Sequence, residues 1–140
     1  MGMHEGPQAR RDFLRAGALG AAAFPAILKA NQATPLKVGL VGCGGRGTGA
    51  AAQALKADDG AVLTAMADID LDRIDASIAR LQRVAGDKVK VEAAAKFTGL
   101  EGFQKVVDSG VDVVLLATPP GFRPQHLKYC IDAGKHVFCE

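Results

Sequence analysis

Tryptophan is absent, tyrosine occurs once, and aromatic residues make up only 5% of the 140 positions. Cysteine occurs three times, at 43, 130 and 139. The number is odd, and no pair has C-x-x-C or metal-ligand spacing, so buried free thiols are expected, with no metal. Charge of one sign is also scarce. The formal net charge is +2, and the excess comes from residues 1–33, which hold four Lys/Arg against two acids, while residues 34–140 hold thirteen of each. A neutral globular part gives no electrostatic case for nucleic acid or an anionic membrane surface. The longest apolar run, Ala16 to Leu28, has thirteen residues and is too short to span a bilayer comfortably. No internal repeat appears, and no low-complexity segment beyond that Ala-rich stretch.

What is present suits one α/β domain with a real core: 49% of residues are hydrophobic, in Val/Leu-rich runs alternating with Ala-rich helical stretches. The most informative stretch is Lys37 to Gly47. A short apolar strand runs into a glycine-rich turn, followed by a helix-forming run from Ala50 to Lys56. Gly42, Gly44 and Gly47 fit the G-x-G-x-x-G spacing. In a dinucleotide site the first glycine permits the tight turn, the second lets backbone approach a pyrophosphate, and the third lets helix pack closely on strand. The diphosphate would rest on the free amides at the helix start. The competing reading is a plain strand–helix turn.

The next strand is expected from Ala61 to Asp68. Asp68 lies 21 residues beyond Gly47, where such a unit places the acid that accepts from the adenosine ribose hydroxyls. Its charge repels a 2′-phosphate and argues for NAD. Arg73 could reach a phosphate, so NADP stays compatible. Helix capping is the other use for these acids, and Asp70 suits it better than Asp68.

Further along, Leu71 to Val84 places Leu71, Ile74, Ile78 and Leu81 at helical spacing as a core stripe. Lys88 to Ala93 reads as a weaker strand. Phe97 to Asp108 reads as a helix with Leu100, Phe103, Val106 and Val107 inward. Val111 to Ala117 is a buried strand closed by Thr118-Pro119-Pro120, since proline cannot extend a central strand. A helix over Pro124 to Ala133 and a strand over His136 to Glu140 complete a parallel, doubly wound Rossmann-type sheet with expected order 3-2-1-4-5.

Residues 1–33 are set apart from the domain at 34–140. Arg10-Arg11-Asp12-Phe13-Leu14-Arg15, ahead of the apolar run, resembles the twin-arginine export signal, with Ala9 and Arg15 departing from its usual form. The alternative is a basic amphipathic helix. The export reading implies the twin-arginine machinery as a partner, a periplasmic or otherwise exported location, and cofactor loading before export.

From residue 35 onward the chain resembles the NAD(P)-binding domain of the glucose–fructose oxidoreductase, inositol dehydrogenase and MocA (Gfo/Idh/MocA) family. The residues that carry this are Gly42-Cys43-Gly44-Gly45-Arg46-Gly47, Asp68, Ala117-Thr118-Pro119-Pro120, His126 and Ala133 to Glu140. The last block matches Gly-Lys-His-Val-x-x-Glu of the family's Gly-Lys-His-Val-x-x-Glu-Lys-Pro. The resemblance implies that the glycine turn and Asp68 hold the cofactor, that Thr118, Pro119 and Pro120 line its nicotinamide half, and that Glu140 lies near the nicotinamide ribose. His126 either shapes that wall or is a helix histidine satisfied by backbone. The family's lysine and its second, substrate-binding α/β domain would follow Glu140. The resemblance therefore implies a fragment with no nameable catalytic residue, expected to turn over weakly or not at all alone. The parent would be an oxidoreductase for a sugar, cyclitol or related polyol, and a homo-oligomer at full length. Alternatives are an NAD-dependent glycoside hydrolase of the same family and a non-catalytic dinucleotide-binding protein.

Overall fold

The computed structural model describes residues 34–140, so the export reading of residues 1–33 lies outside the described residues. Five parallel strands form one sheet in the order β3-β2-β1-β4-β5. The strands are β1 (Leu36–Val41), β2 (Ala61–Asp68), β3 (Lys96–Thr98), β4 (Val113–Leu116) and β5 (His136–Cys139); between them run helices α1 (Gly45–Ala57), α2 (Leu71–Ala85), α3 (Gly102–Asp108) and α4 (Arg123–Asp132). The order matches the expected one. Among the described residues no helix is long and apolar enough to cross a membrane.

The central strands are buried on both faces, as parallel strands covered by helices must be. On one face Val38, Leu40, Leu63 and Met66 pack with Ala51 and Leu55 of α1 and Ile74, Ile78 and Leu81 of α2. On the other, Val41, Ala65, Ala67, Val114 and Leu116 pack with Phe103, Val106 and Val107 of α3 and Cys130 of α4. Leu63 and Ala65 lie two residues apart, yet they serve opposite cores. The ladder explains this: Val38 pairs with Leu63 but Gly39 with Ala65, leaving Thr64 as an extra residue. Strand side chains alternate with a period of two, so one extra residue reverses the faces of all that follow.

Three expectations need correction. The stretch 88–93 forms no strand. Two 3₁₀ turns, Gly86–Lys88 and Ala93–Ala95, flank an isolated bridge between Val89 and Leu63. Val89 and Val91 do pack partly against the first core, so their alternation reflects burial without a ladder. Lys88 is tethered instead, its ammonium donating to the carbonyls of Leu55 and Asp58 that end α1. The third strand comes later and holds Phe97, so α3 begins at Gly102. Leu100 is 65% exposed and Leu71 47% exposed; each follows a strand end and fills a helical spacing without facing the core. As expected, the Ala-rich run continues a helix that starts at the glycine-rich segment: α1 begins at Gly45, directly after its cap Gly44.

Candidate functional site

The carboxyl ends of the strands open onto a cleft of about 500 Å³. Its floor is the turn between β1 and α1. Gly42 has φ +94, and a Cβ there would meet the Ala117 carbonyl oxygen at 2.7 Å, so only glycine turns so tightly against the exit of β4. A Cβ on Gly47 would lie 1.8 Å from the Gly42 carbonyl oxygen, which shows how closely α1 is drawn onto the turn. Gly44 differs: nothing lies within 4 Å of its would-be Cβ. It caps α1 with no side-chain hydrogen bond, and the first turn holds no acid. The first amides of α1 therefore keep their donors and the positive end of the helix dipole.

Asp68 stands at the end of β2. Its Oδ2 accepts from the Cys43 amide at 2.7 Å, while Oδ1 has only a 3.4 Å contact with the Asp70 amide. One oxygen is fixed and the other keeps capacity for a hydroxyl donor. Asp70 takes the capping role, accepting from the Asp72 amide at 3.0 Å. Arg73 lines the same end of the cleft.

At the opposite end, Thr118, Pro119 and Pro120 form the wall beyond β4. Thr118 Oγ1 lies 3.2 Å from His126 Nδ1, and the imidazole stacks on Phe103 at 4.0 Å between ring centroids. Burial holds the His126 pKa below its ordinary 6.5, so the ring is neutral at pH 7. The two rims meet through Arg46, whose Nη1 pairs with Glu140 Oε1 at 3.0 Å.

Of the residues singled out in the sequence, Gly42, Gly44, Arg46, Asp68, Thr118, Pro119, Pro120, His126 and Glu140 line the cleft. Cys43, Gly45 and Gly47 do not. Cys43 is buried beneath the turn, and Gly47 faces the strand. Sequence reasoning missed Gly99 and Leu100, because it misplaced the strand they follow. It also missed Phe122 and Arg123, although they come directly after the Thr-Pro-Pro turn. The arrangement fits a dinucleotide: bare amides and an arginine for a diphosphate at the centre, a carboxylate for a ribose at one end, and an apolar wall at the other. Among the described residues no cluster of His, Cys, Asp or Glu could hold a metal ion.

The cysteines divide. Burial, reinforced by the Asp68 charge, pushes the Cys43 thiol up to about 12, and burial, then the neighbouring Cys139, pushes Cys130 up to about 11. Cys139, expected to be buried, is exposed, because β5 is an edge strand whose neighbours cover it incompletely. The thiolate is the reactive form. Iodoacetamide at mildly alkaline pH is therefore expected to modify one thiol in the native chain and all three in denaturant, read by intact mass. Rapid native modification of two or more thiols would contradict this burial.

A family model described as an oxidoreductase family with an NAD-binding Rossmann fold matches residues 36–140. The chain is 32% identical over 105 residues to a myo-inositol 2-dehydrogenase of Thermotoga maritima, covering 75% of this chain and 28% of that protein. It is also 32% identical over 106 residues to a glycosyl hydrolase family 109 protein of Shewanella amazonensis, covering 75% of this chain and 22% of the relative. The chain thus spans about a quarter of the length of these curated relatives. Among solved structures, the scyllo-inositol dehydrogenase of Lactobacillus casei with bound NAD(H) and scyllo-inositol aligns with a TM-score of 0.55 and 25% identity, over 76% of this chain and 28% of that one.

Proposed function

The chain belongs to the Gfo/Idh/MocA oxidoreductase family, and from that premise we propose that it is the cofactor-binding part of an exported enzyme that moves a hydride between nicotinamide and a sugar, cyclitol or related polyol. The observation that carries this reading is the open, uncapped start of α1 beside Gly44, with Asp68 at the far end of the same cleft. The cofactor, when bound, supplies the hydride chemistry, and the protein orients it.

Each group has its part in that reading. The α1 amides and Arg46 hold the diphosphate, and the free edge of Asp68 accepts from the adenosine ribose. Thr118, Pro119 and Pro120 exclude water from the nicotinamide face, with His126 braced behind them as a neutral ring. Glu140 lies by the nicotinamide ribose. Export through the twin-arginine route rests on Arg10 to Arg15 and the apolar run that follows. It accounts for an enzyme that binds its dinucleotide before leaving the cytoplasm.

A second reading is supported by the equal identity to the glycosyl hydrolase family 109 protein. In this reading a sugar hydroxyl is oxidised, the aglycone eliminated, water added, and the sugar reduced again with no net redox change. The protein carrying this chain, given NAD and a panel of polyols, should raise NADH absorbance steadily under the first reading. Under the second it should release aglycone from a glycoside without that rise. NADH should bind in preference to NADPH, and Asp68→Ala should narrow the difference. Failure to bind either dinucleotide would end both readings.

A further inference from the structure

Stability alone explains Arg123 poorly. It opens α4, whose first turn holds no acid, so its positive charge sits where the helix dipole disfavours a cation. Its Nε is buried with no hydrogen-bond partner, a further cost. Against these costs stand two hydrogen bonds from a single nitrogen. Nη2 donates to the Thr118 carbonyl at 3.1 Å and to the Glu140 carbonyl.

Those carbonyls lie just past the ends of β4 and β5. The two strands pair from Val113–His136 to Leu116–Cys139, and a last bond joins the Glu140 amide to the Leu116 carbonyl. Next to it, Thr118, Pro119 and Pro120 on one side and Glu140 on the other line one end of the cleft. The guanidinium is a planar, preorganised fork of donors, and here it bridges the Thr118 and Glu140 carbonyls. We propose that Arg123 is a positioning residue that fixes the separation of the Thr118–Pro120 wall from Glu140, and so sets the fit of the nicotinamide end of the cofactor. This rests on the dinucleotide reading given above.

Two ligands separate the local effect from a general one: NADH, and ADP-ribose, which lacks the nicotinamide. Both are titrated by calorimetry against the 140-residue chain and its Arg123→Met and Arg123→Lys variants, alongside thermal melts. Arg123→Met is expected to weaken NADH by about tenfold and ADP-ribose by no more than about twofold. Arg123→Lys, which can still donate to a carbonyl, should recover much of the NADH loss. Equal losses for the two ligands, or none for either, would overturn the inference while leaving the dinucleotide reading intact. Wild type binding neither ligand would remove both. Should Arg123→Met not fold, the NADH to ADP-ribose affinity ratio of Arg123→Lys decides, and a ratio equal to wild type's overturns the proposal.

Discussion

Gly47→Ala is expected to destabilise this chain strongly. The added methyl would begin 1.8 Å from the Gly42 carbonyl oxygen and 3.1 Å from the Ala117 Cβ. The first obstacle is backbone, in a turn already held by the bonds from the Gly42 amide to the Ala67 carbonyl and from the Ala117 amide to the Val41 carbonyl. Two effects oppose each other. Replacing a helical glycine by alanine gains roughly 0.5–1 kcal/mol from the unfolded chain. Overpacking a tight site usually costs about 1–3 kcal/mol and sometimes more. With rigid backbone as the obstacle the clash wins, and a net loss of about 2–3 kcal/mol is expected, or roughly 10 °C or more in melting temperature for a domain of this size. Thermal denaturation followed by circular dichroism checks it. A variant as stable as the parent would mean that α1 does not sit against the turn as described.

Gly44→Ala, three residues earlier, should separate binding from folding. Its backbone, with φ −68 and ψ −175, is open to any residue, and its Cβ would meet nothing. Alanine is a poorer helix cap than glycine, so a loss of at most about 1 kcal/mol is expected. The methyl would nevertheless stand where a diphosphate must reach the α1 amides. NADH affinity should fall by about tenfold or more, at least about 1.4 kcal/mol, with the fold retained. Calorimetry beside a thermal melt reads both quantities. Unchanged NADH binding would remove the diphosphate from this turn. The pair is informative because the substitutions are chemically identical and the expected defects are not.

The fold was legible in the sequence wherever local pattern and tertiary burial coincide. Ala61–Asp68 is a strand at the bounds read from its apolar run, because most of its side chains enter one core or the other. Legibility fails where burial comes without a ladder, as at Val89 and Val91. It fails again where a helical spacing is filled by residues that do not face the core, as at Leu71 in the exposed first turn of α2 and Leu100 ahead of α3. The site followed the same rule. Glycines, an acid and a Thr-Pro-Pro turn announce strand ends through their own chemistry, and the structure gathers most of them around one cleft. Arg123 carries no such signature. Its contacts are with two carbonyls 5 and 17 residues away, which no spacing encodes. The thiols show the limit differently: composition suggests burial for all three, and only position in the sheet tells Cys139 from the others.

The extra residue at Thr64 has a consequence for how this chain can vary. Upstream of it, odd-numbered side chains of β2 face α1 and α2; downstream, even-numbered ones do, and Asp68 falls on the side that meets the Cys43 amide. The interval between the glycine turn and the acid therefore includes one residue that the ladder does not count. Many residue types can stand at 64 without disturbing the rest. Removing the position would join Leu63 to Ala65 in an unbroken ladder and leave Ala65, Met66, Ala67 and Asp68 on their present sides; it is drawing Thr64 into the ladder that would exchange the two cores and turn the carboxylate from the cleft. At this point of the strand a change in the number of residues is absorbed by the bulge, and the faces that follow keep their places.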